Sequence, residues 1–411
     1  MKSLMSLVSQ VNFPVLLVDA VVEVVVTVVV VIAVVIASRA RGTTVKVVGM
    51  VFDKTPLNIF SSKENPVTEP KQLEGKTIGA PPGDGQRQMW PAFAKANGID
   101  DSKVTWVNIE PAAKIAALAA EGMNRASIGI QDFDPVVQEA IGRLQPFDVT
   151  RACVDDLRAA GIRSLNADLV YGLPHQDAAR LNDTVAKVLD LAPDRIALFG
   201  YAHVPWMSKR QKLIDEAVLP HEVERFQLAE LAARRFAEAG FDSIGIDHFA
   251  RPDDGLAVAA RTGHLRRNFQ GYVDDSCATL IGLGASSISR LPTGYVQNAP
   301  ATPAYVQRIE AGELAGARGH VMTGDDLLRA RAIEMVMCDF RLDLDALRAE
   351  FGPDADSLRT EMALAAERFG DLVELGDTAL AIHPEGRALT RMVARLFDGY
   401  TPEGARYSQA S

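Results

Sequence analysis

The alternation of apolar and polar positions is most regular after residue 124. Short apolar runs at 125–130, 164–171 and 195–201 are bounded by turn residues, which is typical of buried β-strands. The stretches at 150–160 and 177–191 lie between these runs and have apolar residues at helical spacing. Strands that alternate with helices pair in parallel through right-handed crossovers. The pattern therefore predicts an α/β fold with a parallel sheet.

The rest of the chain to the C-terminus continues in shorter units. A long amphipathic helix is predicted at 219–239, followed by strands at 241–248 and 280–289. Beyond residue 323 the pattern predicts a helix at 325–340, a hairpin at 371–383 and a final helix from Glu385. This tail is typical of a winged-helix-like domain, which we interpret as a substrate lid or packing module rather than a DNA reader, because the chain is acidic.

The N-terminal region has a different pattern. Residues 20–37 read AVVEVVVTVVVVIAVVIA, which approaches the length of a membrane span but contains Glu23. Three interpretations remain open, namely a membrane helix, an uncleaved signal-like segment and a pair of buried valine-rich strands. We favour the strands, because β-branched residues prefer them.

A second segment with its own pattern follows at 42–121. Strands are predicted at 45–52 and near 73–80, and a helix at 86–96. The turn at 81–85 is rich in glycine and proline and leads into that helix. Its backbone N–H groups are suited to an anion, although an ordinary β–α turn has the same pattern.

Polar side chains follow each of the three parallel strands, where the chemistry of β/α barrels lies. Helix caps and satisfied core groups are the alternative for each residue taken alone. The recurrence at equivalent places favours a ligand site. The candidates are Gln131 and Asp132 after the first strand, Asn166 and Asp168 on one face of the second, and Tyr201 and His203 after the third.

Composition and charge narrow the classes of function. The 411 residues carry a net charge of −10, so the basic footprint of a nucleic-acid-binding protein is missing. Cys153, Cys277 and Cys338 lie too far apart in sequence for a disulfide framework or a short metal-binding motif. The seven histidines form no HExxH-type pair, which disfavours a zinc hydrolase. These patterns predict no metal ligand and assign no catalytic residue.

The segment at 42–121 contains the strings LEGKTIGAPPGD (73–84), FAKANGID (93–100) and VTWVNIEPAAKIAAL (104–118). These strings resemble periplasmic substrate-binding proteins for thiamine precursors, nitrate or taurine. The resemblance implies a foreign α/β fragment that binds a small ligand, as in an ABC importer. Such proteins close two lobes around their ligand, and a second lobe is not visible in this sequence.

Six strings in the rear two-thirds carry a closer resemblance. They are GMNRASIGIQDF (122–133), DLVYGLP (168–174), FGYAHVP (199–205), DHFARPD (247–253), RRNFQGY (266–272) and GLGAS (282–286). They resemble the oxygen-independent coproporphyrinogen III dehydrogenases, which are radical S-adenosylmethionine (SAM) enzymes of heme biosynthesis. Over about residues 122–402 the resemblance implies an incomplete radical-SAM-type β/α barrel, followed by the winged-helix-like domain. It also implies SAM and a [4Fe–4S] cluster as cofactors and coproporphyrinogen III as the substrate.

The resemblance assigns roles to particular residues. A carboxylate on the second strand suits ribose hydroxyls, and an arginine suits the methionine carboxylate of SAM. We add Arg266 and Arg267 as candidates for binding the substrate's propionates, with a solvated surface as the alternative. The SAM-contacting positions of the family fall on Gln131, Arg143, Asp168, Ala202 and Ile288.

The family's CxxxCxxC motif is missing from this chain. By the resemblance, three thiolates of that motif hold the [4Fe–4S] cluster, and cluster ligation requires closely placed thiolates. None of the chain's three cysteines matches that spacing. We therefore expect a chimera that binds no cluster. Alone, such a chain does not carry out the oxidative decarboxylation of coproporphyrinogen III to protoporphyrinogen IX.

The predicted organisation has five parts. They are a valine-rich leader at 1–41, the binding-protein-like fragment at 42–121, the partial barrel at 122–322, the C-terminal domain at 323–402 and a tail at 403–411. Two alternative functions remain open, a small-ligand module of an ABC importer and a non-catalytic SAM- or porphyrin-binding protein. We expect a cytoplasmic monomer that binds a small molecule and no nucleic acid, with a membrane tether through the valine-rich segment as the alternative.

Overall fold

The structure, a computed structural model, divides the chain into two compact units. One unit comprises residues 1–121 and 278–321, and the other comprises residues 122–277 and 322–411. The structure describes residues 22–25, 58–61, 67, 69–80, 90–91, 93–95, 97–108, 115–116, 119–120, 122–206, 209–269 and 271–400.

The first described elements are β1 (Val22–Val25) and β2 (Asn58–Ser61), which form an antiparallel pair. The strand at β1 agrees with the strand interpretation of the valine-rich segment for these four residues. The other residues of 20–37 and the strand predicted at 45–52 lie outside the described residues. No helix within the described ranges is long and apolar enough to cross a membrane.

A separate parallel pair is formed by β3 (Thr77–Ala80) and β4 (Thr105–Asn108). Residues 90–91 and 93–95 are helical, in agreement with the helix predicted there, whereas the turn predicted at 81–85 is not among the described residues. A small apolar core belongs to this region and consists of Val67, Leu73, Ile78, Trp90, Phe93, Ala94 and Ile99.

The second unit begins with a five-stranded sheet. The first three strands are parallel, as the sequence predicts, and their bounds lie within one residue of the predicted ones. The strands are β5 (Arg125–Gln131), β6 (Ser164–Tyr171), β7 (Arg195–Gly200), β8 (Asp242–Ile244) and β9 (His248–Ala250), in the order β5-β6-β7-β9-β8.

The single strand predicted at 241–248 is interrupted in the structure. The chain forms two short strands there, β8 and β9, which pair antiparallel, and β9 also pairs antiparallel with β7. Gly245 lies between them with φ 57°, a left-handed conformation that glycine adopts without a Cβ penalty. The reversal of the chain at this glycine interrupts an otherwise strand-like apolar run.

Five helices belong to this sheet region, and their starts follow capping chemistry. Asp134 and Asp177 accept backbone N–H groups at the starts of the first and third helices. The second helix begins at Phe147, three residues before the predicted start. Thr150 therefore lies inside the helix, where its hydroxyl accepts a bond from Gln145 Nε2 (3.0 Å). The helices are α1 (Pro135–Ala140), α2 (Phe147–Ala159), α3 (Ala178–Asp190), α4 (Glu222–Glu238) and α5 (Gly255–Arg261).

The two faces of the sheet differ in polarity because side chains alternate along a strand. One face is apolar and is covered in part by α4, whose Phe236 ring lies 5.0 Å from the ring of Phe249 on β9. The opposite face carries Asn166 and Asp168, which are partly exposed. The buried residues of β6 on the apolar face are Leu165, Ala167 and Leu169.

A hairpin of β10 (Arg266–Asn268) and β11 (Gly271–Val273) completes the first part of the second unit. Its register places Arg267 opposite Tyr272. Neighbouring residues on a strand point to opposite sides. Arg266 and Arg267 therefore lie on different faces of this hairpin.

The chain then contributes an antiparallel meander to the first unit. It contains β12 (Ile288–Leu291), β13 (Gly294–Asn298), α6 (Thr302–Glu310) and β14 (Gly316–Val321). The prediction of a strand at 280–289 is wrong except at its last two residues, where β12 begins. The backbone folds back so tightly that a Cβ on Gly282 would lie 2.6 Å from the Ile288 carbonyl oxygen.

The C-terminal part of the second unit combines helices with a small sheet. The predicted helix at 325–340 and hairpin at 371–383 are both present. The sheet is antiparallel with the order β15-β17-β16. The elements are α7 (Gly324–Asp339), β15 (Arg341–Asp343), α8 (Leu344–Phe351), α9 (Arg359–Phe369), β16 (Val373–Leu375), β17 (Ala379–Ile382) and α10 (Thr390–Arg395).

Short 3₁₀ helices connect several of these elements. They are Pro70–Leu73, Asp101–Lys103, Lys209–Leu213, Glu216–Val218, Gly352–Leu358, Gly370–Leu372 and Pro384–Leu389.

We predict that Gly245→Ala destabilises the protein more than Gly240→Ala does. Both glycines have positive φ, 57° and 82°, which costs alanine about 1–2 kcal/mol. A Cβ on Gly245 would lie 2.0 Å from Cζ of Tyr272, whereas a Cβ on Gly240 meets nothing within 4 Å. Chemical denaturation is expected to show an additional loss of about 1–3 kcal/mol for Gly245→Ala from overpacking. Equal losses for the two variants would contradict the packing at Gly245.

Candidate functional site

Asp168 lies at the centre of a polar cluster on the open face of β6. Asn166 Nδ2 donates to Asp168 Oδ1 (2.6 Å) and to Ser127 Oγ (2.8 Å), and Ser127 Oγ donates to Asp168 Oδ2 (3.1 Å). The parallel register of β5 and β6 pairs Ser127 with Asn166, which brings these groups to one face. A carboxylate has about four lone-pair sites. Each oxygen of Asp168 therefore retains capacity to accept a further hydrogen bond.

Gln131 is turned by an irregularity at the end of β5. The register shifts between Gly129 and Gln131, and Gln131 has φ 66°, in the left-handed region. Such a conformation is uncommon for residues other than glycine and tends to occur at functional sites. The shift brings the Gln131 side chain back over Gly129.

Gly129 lies next to all three predicted SAM-contacting residues of this region. It pairs with Asp168 in the sheet, and its carbonyl oxygen accepts a bond from Arg143 Nη2 (2.6 Å). A Cβ at this position would lie 2.8 Å from Gln131 Nε2 and 3.3 Å from Arg143 Nη2. The absence of a side chain therefore allows Gln131 and Arg143 to approach the backbone beside Asp168.

A second group of polar residues follows β7. Tyr201 Oη donates to His203 Nδ1 (3.3 Å), and His203 Nε2 donates to Glu216 Oε1 (3.2 Å). Because a carboxylate only accepts, Glu216 favours the tautomer with the proton on Nε2. Burial raises the pKa of Tyr201, so it remains a neutral donor. Ala202 lies between these residues, and its carbonyl oxygen accepts a bond from Gln211 Nε2 (3.0 Å).

The remaining predicted SAM-contacting residue is Ile288. It is the first residue of β12 and pairs with Gln297 of β13. It belongs to the other compact unit. Gln131, Arg143, Asp168 and Ala202 all belong to the second unit.

Asp132 has a different role from the ligand-binding role that its position indicates. It is fully buried, and it accepts bonds from Gln176 Nε2 (2.6 Å), Thr184 Oγ1 (2.8 Å) and the backbone N–H of Asp134 (2.6 Å). Burial raises the pKa of Asp132 in spite of these bonds. The side chain thus joins the end of β5 to α3 and to the loop after β6.

Sequence reasoning missed a charged cluster around Asp247, which lies in the turn between β8 and β9. His248 Nδ1 donates to Asp247 Oδ1 (2.6 Å), and Arg391 Nη2 of α10 donates to Oδ2 (2.9 Å). Burial disfavours the charged carboxylate, but the bond from His248 and the charges of His248, Arg391 and Arg267 outweigh it. The pKa of Asp247 therefore lies below its ordinary value. The string DHFARPD contains Asp247 and His248, but nothing local in the sequence points to Arg391.

Tyr272 supports this cluster from β11. Its hydroxyl donates to the Met337 carbonyl oxygen (3.0 Å) and accepts from the Ile246 backbone N–H (3.1 Å). Burial raises the pKa of Tyr272 strongly. The hydroxyl is therefore a fixed structural group that holds the turn beside Asp247.

The cysteines do not fit a [4Fe–4S] cluster. Cys153 lies on α2 and Cys338 on α7, and Cys277 is an exposed residue of a third segment. Burial raises the pKa of Cys153, and burial together with Glu334 and Asp339 raises the pKa of Cys338 to about 12. Within the described ranges, no group of three metal-ligating side chains comes together. A [4Fe–4S] cluster needs closely placed thiolates, and the three separate thiols of this chain do not provide them.

The fold and the cluster define an α/β protein with a group of polar side chains on the open face of two parallel strands. The oxygen-independent coproporphyrinogen III oxidase of Cereibacter sphaeroides is 62% identical over 299 residues, which cover 72% of this chain and 66% of the relative. The enzyme of the same name from Paracoccus denitrificans is 52% identical over 319 residues, which cover 78% of this chain and 71% of the relative. This chain belongs to the family of oxygen-independent coproporphyrinogen III oxidases.

A solved structure supports the same assignment. Coproporphyrinogen III oxidase from Escherichia coli, described as a radical SAM enzyme, matches with a TM-score of 0.68 and 32% identity over 81% of this chain and 76% of that chain. The resemblance found in the sequence is thereby confirmed. The chain spans slightly less than two thirds (66%) of the length of the Cereibacter sphaeroides relatives.

A second match concerns the N-terminal half. The family model described as "NMT1/THI5 like" matches residues 29–171. This range includes the fragment at 42–121 whose strings resemble substrate-binding proteins and extends through β5 and β6. The match supports the interpretation of the chain as a chimera.

We predict that the anaerobically reconstituted protein binds no stoichiometric [4Fe–4S] cluster. The reason is that its three thiols lie in separate segments, and two have raised pKa values. Iron and sulfide analysis of the wild type is expected to match that of a Cys153→Ser/Cys277→Ser/Cys338→Ser variant. About four irons per chain in the wild type, lost in the variant, would overturn this prediction.

Proposed function

We propose that this chain is a ligand-binding member of its family. It binds SAM and a tetrapyrrole but does not itself carry out the oxidative decarboxylation of coproporphyrinogen III. The family reaction requires a cluster, and the three cysteines do not fit one. The arrangement of Gln131, Arg143 and Asp168 around Gly129 supports the proposed binding of SAM.

The chemistry of these side chains suits the two ends of SAM. Asp168 is oriented by Ser127 and Asn166, and its remaining lone pairs suit the hydroxyls of a ribose. Arg143 is exposed and donates through Nη2 to the Gly129 carbonyl oxygen and through Nε to Gln145 Oε1 (3.3 Å), which leaves the N–H groups of Nη1 for a carboxylate. The residues would therefore bind and orient the ligand, and no proton or electron transfer is assigned to them.

The finer architecture is part of the same proposal. The three parallel strands of the second unit correspond to a partial radical-SAM-type barrel. The helices and the sheet after residue 323 correspond to a winged-helix-like domain. We propose a cytoplasmic monomer whose partners are small molecules and not nucleic acids, and in which the valine-rich segment makes any membrane contact.

A second candidate function comes from the N-terminal region. The match to the "NMT1/THI5 like" family at 29–171 favours a small-ligand module of the kind found in ABC importers. Calorimetry with thiamine precursors, nitrate and taurine would test it. Binding of one of them would establish the second function without bearing on the SAM site.

We predict that SAM binds weakly and that Asp168 carries the remaining affinity. The cluster contacts to the methionine end are lacking, and each lost charge-assisted contact costs about 1.5–3 kcal/mol, which is roughly tenfold or more in affinity. Saturation-transfer NMR and calorimetry are expected to detect weak binding by the wild type and at least roughly tenfold weaker binding by Asp168→Ala.

The matched control is Asp183→Ala, since Asp183 is an exposed residue of α3 that pairs with Lys187 one helical turn away. This variant should bind SAM as the wild type does. Tight SAM binding that is indifferent to Asp168→Ala would show that a different pocket is in use. No binding by the wild type would overturn the proposed SAM site.

A further inference from the structure

Arg267 is a half-buried arginine without an acceptor for its side chain. Its Nε is buried and has no hydrogen-bond partner, and its guanidinium forms no ion pair among the residues that the structure describes. Its backbone N–H donates to Glu334 Oε1 (3.2 Å). A desolvated cation without an acceptor is costly. An anion at its terminal nitrogens would offset that cost.

The guanidinium of Arg267 ends a row of aromatic rings. Its Cζ lies 5.3 Å from the ring centroid of Tyr272, whose ring lies edge-on to His248 at 5.3 Å. His248 lies edge-on to Phe199 at 5.8 Å, and Phe199 is 39% exposed at the end of β7. The row begins with an exposed apolar ring and ends with a cation that has no ion-pair partner among the described residues. The exposed Phe199 ring and the Arg267 guanidinium suit a ligand with a flat ring and a carboxylate at its edge, whereas Tyr272 between them is buried.

The carboxylate of Asp247 does not neutralise the cations around it. Its two oxygens each accept one bond, from His248 Nδ1 and from Arg391 Nη2, and Arg267 is a further positive charge beside it. Arg391 is 44% exposed and uses one nitrogen for Asp247, so its other N–H groups remain for a ligand. Asp247 thus faces two arginines. A second carboxylate at Arg267, that of Glu334, accepts the Arg267 backbone N–H and is itself paired with Arg331 (2.8 Å).

We propose that Arg267 and Arg391, on either side of Asp247, form a binding subsite for a carboxylate of a flat-ring ligand. For the identity of the ring this inference rests on the proposed tetrapyrrole binding. Arginine suits the site because its planar fork binds a carboxylate through two parallel hydrogen bonds. Arg266, which the sequence indicates equally, lies on the other face of β10 and is not part of this subsite.

The test is a fluorescence titration of the full chain with coproporphyrin III, a stable oxidised analogue that keeps all the carboxylates. The wild type is expected to bind it, and Arg267→Gln to bind it at least tenfold more weakly. Arg391→Gln is expected to weaken binding several-fold, and Arg267→Lys to restore part of the loss. Arg266→Gln is the matched control and should bind within twofold of the wild type.

Titrations with two further ligands identify the group that the subsite recognises. Coproporphyrin tetramethyl ester lacks the charges and should bind the wild type and Arg267→Gln equally weakly. SAM also carries a carboxylate, and its affinity should not change in Arg267→Gln if the subsite belongs to the ring ligand. A loss of SAM affinity in that variant would overturn the ring-ligand assignment.

The outcomes separate this inference from the proposed function. Equal binding of coproporphyrin III by the wild type, Arg267→Gln and Arg391→Gln would overturn the subsite and leave tetrapyrrole binding intact. No binding by the wild type would overturn both tetrapyrrole binding and the subsite, whereas the Asp168-dependent SAM titration would stand by itself. Thermal unfolding of each variant, expected to match that of the wild type, excludes misfolding as the cause of a loss. Arg267→Lys binding as weakly as Arg267→Gln would overturn a charge-based role.

Discussion

The parallel pairing of β5 with β6 is the interaction on which the candidate site depends. It brings Ser127 beside Asn166 and Gly129 beside Asp168, so one register determines which groups share the open face. A shift by one residue would turn Asp168 into the apolar layer under the helices. The irregularity after Gly129 depends on the same register, because it turns Gln131 back over the glycine. The buried bonds of Asp132 to Gln176 and Thr184 hold the end of β5 in that position.

A second constraint acts through glycine at the other side of the sheet. Gly245 allows the chain to reverse between β8 and β9, and it leaves space for the Tyr272 ring. The Tyr272 hydroxyl in turn bonds to Ile246 N and to the Met337 carbonyl oxygen, which ties the turn to α7. Asp247 lies in this turn, and Arg391 reaches it from α10. The positions of the charged residues therefore follow from backbone geometry that only a side chain as small as glycine permits.

Much of this fold could be predicted from the sequence where local pattern and tertiary structure agree. The strands β5, β6 and β7 are apolar runs bounded by turn residues, and both α3 and α7 begin at strong capping residues. The prediction failed where a glycine turn interrupts an apolar run, as at Gly245, and where the backbone folds back on itself, as at Gly282. In both places the sequence has the apolar pattern of a strand. The conformation is determined instead by a tertiary contact at the glycine, with the Tyr272 ring at Gly245 and with the Ile288 backbone at Gly282, and such contacts cannot be inferred from the pattern.

The candidate site was predictable to a similar extent and for a related reason. Asn166 and Asp168 could be placed on one face because strand periodicity is a local property of the sequence. The pairing of Asp247 with Arg391 could not be predicted in this way, because it joins two residues that are 144 positions apart. The same distinction separates Arg266 from Arg267. The sequence presents them as equivalent neighbours, and only the hairpin register shows that they face different sides, with Arg267 over Tyr272.

Cluster assembly and ligand binding depend on different residues of this chain. The lack of clustered thiols therefore affects the first and not the second. Cluster assembly needs thiolates that are close together and readily deprotonated. Burial holds the Cys338 thiol at a pKa of about 12, so that residue is a packing group of α7 and not a ligand. The strand-borne polar groups do not depend on those thiols for their own positions. Asp168 is oriented by Asn166 and Ser127, and Arg143 by the Gly129 carbonyl oxygen. A chain without clustered thiols can therefore keep these polar side chains in the arrangement on which the proposed ligand binding depends.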